Sequence, residues 1–261
     1  MTLGGGCILG VLVLLGEGFI INILILIAIF VGIFLGIWNY SFWQKMILVS
    51  PKLYLGNYLG QVGAFVASLS ILSAFLAWII YKERSFGEIP EYVAVTSDIQ
   101  PVWSPVKTAL VLATLNTMFL IVTRIPISLT NGFSRWVGSG LIISGINIKK
   151  YVFFQMPQMV KEMEQSFFGV ETFLIFGIII GSYITAVYFG EFRTKPIRSM
   201  KQVLLAVTGG LLIGYGARTG MGCTISALVS GVASMSVHGW IFAIFLPVGV
   251  MIGVKILQKI I

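Results

Sequence analysis

The chain alternates long apolar runs with short polar connections. About 20 apolar residues are needed to cross the hydrocarbon core of a bilayer. On that measure the pattern predicts six membrane-spanning helices, at residues 19–38, 57–80, 108–123, 172–190, 202–217 and 239–254. The second of these carries small residues that favour close helix packing, namely Gly60, Gly63, Ala64, Ala67 and Ser68. We therefore predict an all-α, polytopic membrane protein with about six spanning helices.

Two further apolar stretches are too short to cross a membrane. They cover residues 8–15 and 224–235, and each begins immediately after a cysteine, Cys7 in the first case and Cys223 in the second. Such lengths suit half-helices that enter the membrane and turn back. A third short apolar stretch, at 137–148, is compatible either with dipping into the membrane or with lying on its surface.

Composition supports the membrane assignment. Of the 261 residues, 57% are hydrophobic and 10% are charged, with a mean hydropathy of +1.00, whereas a soluble domain carries about a quarter charged residues. The net charge of +8 comes from basic residues between the spans, so it indicates orientation and not nucleic-acid binding. The basic connection 191–201 is expected to be cytoplasmic.

The two cysteines sit in similar glycine motifs. Gly4-Gly5-Gly6-Cys7 precedes the span 19–38, and Gly220-Met221-Gly222-Cys223 precedes the span 239–254. Four spans lie between these two, so they must cross in opposite directions. A motif repeated in opposite directions is typical of an inverted repeat with its site near the bilayer midplane. We predict a first half at 1–80 without the leading helix that symmetry expects, a polar connecting loop at 81–105, and a second half at 106–261.

The motif residues suit the binding of an anion. Glycines beside each cysteine (Gly5, Gly6, Gly220 and Gly222) let the backbone turn sharply and approach a ligand. A helix that starts just after the cysteine, at Thr224 in the second copy, points free N–H groups and a positive dipole end toward that spot. Neutral thiols are weak donors, and apolar surroundings favour the neutral form. The alternative is that both cysteines are small buried apolar residues.

Three ionisable residues flank the motifs. Arg218 either attracts the anion at the pore mouth or caps its helix. Histidine changes its charge near neutral pH, so His238 either couples transport to protons or lies at the membrane interface. Glu17 is a second candidate for coupling, although bonding to the backbone of its own turn is the simpler role. One histidine and two cysteines fall short of a metal ligand set, and we expect neither a metal nor a cofactor. A disulfide between the two cysteines is also possible.

Three segments resemble those of the YeeE/YedE family of sulphur-transport membrane proteins: GYGARTGMGCTISALVSGVASMSVHGW, GGGCILGVLVLLGEG and GVETFLIFGIIIGSYITAVYFGEFR. The resemblance implies a protein of the inner membrane whose Cys7 and Cys223 line a path for thiosulfate or a related sulphur anion. It also implies a soluble sulphur-carrier protein as partner at the cytoplasmic side. Thr224 stands where many members have Asn. A selenium-species transporter, a membrane sulfurtransferase or thiol oxidoreductase, and a non-catalytic membrane subunit are the alternatives.

Overall fold

A computed structural model describes most of the chain and shows an all-helical protein. The described residues are 2, 4–46, 55–85, 104–156, 159–160, 168–194, 196, 199–220, 222–234 and 236–260. Their α-helices are α1 (Ile8–Gly16), α2 (Ile21–Trp38), α3 (Tyr40–Met46), α4 (Leu55–Ser85), α5 (Pro105–Thr123), α6 (Leu129–Ile143), α7 (Val170–Tyr188), α8 (Met200–Thr219) and α9 (Val237–Ile260). Two short 3₁₀ turns, Ile148–Lys150 and Val152–Gln155, and a π-helical segment, Ile225–Gly231, complete the described structure.

Five helices of the described part of the chain are long and apolar enough to cross a membrane. They are Ile21–Trp38, Val106–Thr123, Val170–Tyr188, Met200–Thr219 and Val237–Lys259. Each coincides with a predicted span, so the prediction of an all-α, polytopic membrane protein is confirmed.

The sixth predicted span, at 57–80, lies in α4. The chain kinks there at Gly60, whose φ of 71° is left-handed, and the apolar helix after the kink runs over Val62–Phe75. Ala64 and Ser68, one turn apart, are buried, as expected for a face of small residues that packs on a neighbour. α4 continues to Ser85, which is five residues into the predicted connecting loop, and 86–103 lie outside the described residues.

Among the described helices, α2 and α8 make the most extensive contact, and they run in the same direction. A Cβ on Gly210 would lie 2.7 Å from the Ile25 carbonyl oxygen, one on Gly214 would overlap the Ile29 carbonyl oxygen, and one on Gly36 would lie 2.6 Å from Arg218 Cβ. The contacts therefore advance along both helices together. Gly32 on α2 meets the backbone of α8 in the same way. Glycines spaced four apart on both helices allow this approach.

Helix α9 runs opposite to α2 and α8. Near its start, His238 contacts the carbonyl of Gly220 at the end of α8. Near its end, a Cβ on Gly253 would overlap Thr2 Oγ1, while Gly4, two residues from Thr2, lies against Gly209 in the middle of α8. The spans that follow the two cysteine motifs therefore run in opposite directions, as the inverted-repeat prediction requires.

The stretch left open at 137–148 belongs largely to α6, a helix of 15 residues that begins earlier, at Leu129. α6 packs against both α2 and α7, and its residues Leu129, Thr130, Phe133 and Ser134 are completely buried. The first half of α6 is thus interior, whereas residues 142–147, at its end and just beyond it, are exposed. The short helix α1 packs against α7 as well, where Ser182 Oγ donates to the Val13 carbonyl oxygen at 2.7 Å.

Candidate functional site

Cys7 occupies the N-cap of α1. Its backbone is extended, with φ −84° and ψ 176°, and its carbonyl oxygen accepts a hydrogen bond from Val11 N–H at 2.9 Å. Gly5 has a φ of +72°, a left-handed conformation that glycine adopts without strain. The side chain of Cys7 is half-buried. The glycines therefore turn the chain into a helix whose first free N–H groups lie beside the thiol.

Cys223 occupies the equivalent position before the second short helix. Its carbonyl oxygen accepts from Ala227 N–H at 2.8 Å, and its own N–H donates to Ser226 Oγ at 2.7 Å. The Ser226 hydroxyl also lies 3.5 Å from Cys223 Sγ. Gly222 leaves room for this hydroxyl, because a Cβ at that position would lie 2.6 Å from Ser226 Oγ. Cys223 is 6% exposed, and both cysteines are free thiols and not a disulfide.

The starts of the two short helices meet at one cavity of about 190 Å³. Ile8, the first residue of α1, lines it together with Cys223 and Thr224. The remaining lining residues come from α8, from α9 and from the glycine before Cys223: Leu212, Ile213, Gly216, Ala217, Phe242 and Gly222. Cys7 immediately precedes the lining residue Ile8 in the chain. The structure thus brings the two motifs to the same space, although they are more than 200 residues apart in sequence.

A second cavity, of about 290 Å³, lies between the start of the chain and α9. Thr2, Phe245, Leu246, Gly249 and Val250 line it, and so does Phe242. Phe242 therefore borders both cavities.

Arg218 is placed next to the smaller cavity without lining it. Its neighbour Ala217 is a lining residue, while the Arg218 side chain is 3% exposed and its guanidinium carbon lies 5.2 Å from the centre of the Phe153 ring. Burial raises the pKa of Tyr40, and the positive charge of Arg218 partly offsets that rise. Arg218 therefore supplies a fixed positive charge at the end of α8, within an aromatic cluster.

Glu17 and His238 lie at helix ends outside the smaller cavity. Glu17 follows the last residue of α1, and its N–H bonds the Val13 carbonyl at 3.0 Å while its own carbonyl accepts from Arg193 N–H at 3.4 Å. His238 is exposed, with Nε2 2.9 Å from the Gly220 carbonyl oxygen. The His238 ring thus ties the start of α9 to the loop that leads into Cys223. Coupling by Glu17 or His238 stays a prediction.

One pair of charged residues was missed by the sequence reasoning. Arg135 in α6 and Glu171 in α7 form an ion pair with Nη2 and Oε2 3.1 Å apart, and their side chains are 2% and 4% exposed. Gly169 makes this possible, because a Cβ there would overlap Arg135 Nη1. The sequence did carry a signal for this pair. Arg135 is the charged residue of α6 and Glu171 is the charged residue of α7, and the other residues of both helices are uncharged.

Comparison with known proteins agrees with the motifs. A thiosulfate transporter, TsuA of Spirochaeta thermophila, is 27% identical over 266 aligned positions, which cover 95% of this chain and 71% of that protein. TsuA of Escherichia coli is 25% identical over 189 positions (70% of this chain, 49% of that protein). The probable transporter YedE of Escherichia coli is 27% identical over 153 positions (59% of this chain, 37% of that protein). The chain thus spans at most about half the length of these two Escherichia coli relatives.

No solved structure matches the chain. The sequence profile of the family described as sulphur transport, in contrast, matches residues 1–252. This match covers nearly the whole chain and confirms the resemblance of the motifs, so the protein belongs to the sulphur transport family.

Proposed function

We propose that the protein is a transporter or channel-like permease that imports thiosulfate or a related small sulphur-containing anion through the inner membrane. The observation that carries this proposal is the cavity of about 190 Å³ at which two cysteine-capped helix starts meet. Its volume equals roughly six water molecules at about 30 Å³ each, which is suitable for a small anion. The thiosulfate transporters among the relatives support the choice of substrate.

The proposed selectivity comes from neutral donors. N–H groups in the first turn of a helix have no intrahelical acceptor, and the positive end of the helix dipole lies there. Two such ends, at Ile8 and Thr224, offer an anion site with no ionised side chain on the cavity wall. Cys223 adds a soft S–H group, and we assign Cys7 the same role. The terminal sulphur of thiosulfate is a soft partner for a thiol, whereas sulfate has only hard oxygen atoms.

Import of a dianion needs a source of energy. At a membrane potential of about −100 mV each negative charge costs about 2.3 kcal/mol to bring inside, so a dianion costs about 4.6 kcal/mol. Arg218, buried one residue from the cavity wall, raises the local anion concentration but does not change this total. A coupling ion or rapid consumption inside is therefore part of the proposal. The soluble sulphur-carrier protein expected at the cytoplasmic side would supply the second route.

The surroundings of Cys223 favour transport over sulphur-transfer chemistry. A nucleophilic cysteine is activated by an adjacent base or cation. The polar side chain that the structure places at Cys223 Sγ is instead the Ser226 hydroxyl. His238, the histidine of the chain, contacts the Gly220 carbonyl.

The test is uptake of radiolabelled thiosulfate into proteoliposomes that contain the full chain. Cys223→Ser keeps a donor but removes the soft sulphur, and Cys223→Ala removes both. We expect Cys223→Ser to lose the preference for thiosulfate over sulfate in a competition assay, and Cys223→Ala to lose uptake. Cys7→Ser is expected to behave like Cys223→Ser. Ser234→Ala, which changes an exposed side chain past the end of the second short helix, is the matched control and should transport normally.

Circular dichroism and melting of each variant separate loss of function from loss of folding. Uptake with unchanged selectivity in both folded Cys→Ser variants would mean that the cysteines are packing residues. Uptake of selenite or another selenium species by wild-type protein that ignores thiosulfate would reassign the substrate but keep the site.

A further inference from the structure

The ion pair of Arg135 and Glu171 joins α6 to the first turn of the spanning helix α7. Trp136, next to Arg135, stacks on Phe30 with ring centres 5.9 Å apart, and its Nε1 donates to Thr172 Oγ1, next to Glu171, at 3.0 Å. Phe30 is the tenth of the 18 residues of α2. Buried ionisable groups in a membrane-spanning bundle are costly and mark ion pathways and proton relays.

The proposed anion cavity is level with the middle of α2. It is lined from α8 by residues between Leu212 and Ala217. Gly214, in the middle of that stretch, packs against Ile29 and Ile33 of α2, which flank the position of Phe30. The middle of α2 therefore contacts the cavity-lining stretch of α8 through Ile29 and Ile33, and it contacts Trp136, the neighbour of Arg135, through Phe30.

The Arg135 guanidinium is only partly satisfied by Glu171. Its Nε and Nη1 atoms are buried and have no hydrogen-bond partner among the described residues. The ion pair uses Nη2. A buried guanidinium with unused donors is an unusual feature, and a purely structural ion pair would be expected to satisfy them.

We propose that Glu171 binds the proton that accompanies the anion across the membrane, with Arg135 as its partner; this inference rests on the proposed function. When Glu171 is ionised the pair is neutral. When Glu171 takes a proton from the outer aqueous phase, the positive charge of Arg135 is no longer balanced, and it attracts the anion into the bundle through a medium of low dielectric. Release of the proton to the inside restores the neutral pair and favours release of the anion.

Within the described part of the chain, no charged side chain other than that of Arg135 forms an ion pair with Glu171. α6 contributes Arg135. From α2, the uncharged residue Phe30 stacks on Trp136, the neighbour of Arg135. The stretch of α1 that packs on α7, Ile8–Gly16, contains no ionisable residue. Arg135 is therefore the charged partner of Glu171 in this site.

The test measures thiosulfate and protons together. Proteoliposomes with the full chain carry a trapped pH dye, and their membrane potential is clamped at zero with potassium and valinomycin. Wild-type protein is expected to acidify the lumen when thiosulfate is added outside. Glu171→Gln is expected to reduce this acidification at least tenfold, while it retains exchange of labelled for unlabelled thiosulfate, which needs no net proton movement. Glu191→Gln, at an exposed glutamate after α7, is the matched control and should behave as wild type.

A second variant covers the case in which Glu171→Gln fails to fold. Arg135→Gln combined with Glu171→Gln removes both charges and leaves neither residue as an unpaired buried charge. If the pair is structural only, this double variant will acidify the lumen as wild type does, and the proposal is overturned. If Glu171 carries the proton, the double variant folds but loses thiosulfate-driven acidification. Thiosulfate exchange by wild-type protein without any acidification overturns the proton site alone, whereas absence of exchange overturns the proposed function itself.

Discussion

Replacement of Gly214 by alanine tests the packing that positions the site. A Cβ at Gly214 would overlap the Ile29 carbonyl oxygen and lie 2.9 Å from Ile33 N, whereas ordinary contact begins at about 3.4 Å. Both atoms belong to the backbone of α2, so no side chain can move aside. The two helices must separate by at least about 0.5 Å, judged from the Ile33 contact. Overpacking of this kind costs about 1–3 kcal/mol.

The matched control is Gly177→Ala in α7, where a new Cβ meets nothing within 4 Å. Both substitutions gain the same helix propensity, at most about 1 kcal/mol, so their difference isolates the clash. With roughly 2–4 °C of melting temperature per kcal/mol, we expect Gly214→Ala to melt about 2–12 °C below Gly177→Ala in detergent. Thiosulfate uptake should fall as well, because the cavity is lined by the neighbours of Gly214. Equal melting temperatures of the two variants would refute the assignment of α2 and α8 as a tightly packed pair.

Three further changes test parts of the site. Gly5→Ala should lower the free energy of unfolding by about 1–2 kcal/mol, because the left-handed backbone at that position disfavours a Cβ. It should also reduce uptake, whereas Gly10→Ala, which adds a Cβ in open space, should leave uptake unchanged. Ser226→Ala removes the acceptor of the Cys223 N–H, a loss of about 0.5–1.5 kcal/mol, and should increase the rate at which a maleimide labels that cysteine; an unchanged rate would contradict the capping role. Phe242→Ala should join the two cavities and admit sulfate in a flux assay, and continued exclusion of sulfate would show that the ring is not a barrier.

The spans and the short helices could be predicted because each depends on local sequence. A hydrocarbon core demands a fixed length of apolar chain, so the bounds predicted for α2 and α8, for example, differ from the observed ones by two residues at most. The cysteine motifs likewise predicted the starts of α1 and of the second short helix. In each motif the glycines indicate a turn, and the apolar run that follows indicates a helix.

The interior polar features could not be predicted in this way. Arg135 and Glu171 are 36 residues apart, and neither residue alone shows that a partner will be buried beside it. The sequence also left the stretch 137–148, which contains the second half of α6, undecided between the membrane and its surface, because it is too short to span and the burial of α6 depends on α2 and α7. The hydrogen bond between the Ser226 hydroxyl and Cys223 depends on the local turn, which the pattern of apolar residues does not specify.

The central claim is that both cysteines line one anion path, and thiol protection tests it most directly. Membrane vesicles containing the full chain are treated with N-ethylmaleimide in thiosulfate or in sulfate of equal ionic strength, and mass spectrometry reads the labelling of each cysteine. The account predicts that thiosulfate slows the labelling of Cys7 and Cys223 together, with half-protection at the same concentration, while sulfate has little effect. Protection of neither cysteine, or equal protection by both anions, would contradict it.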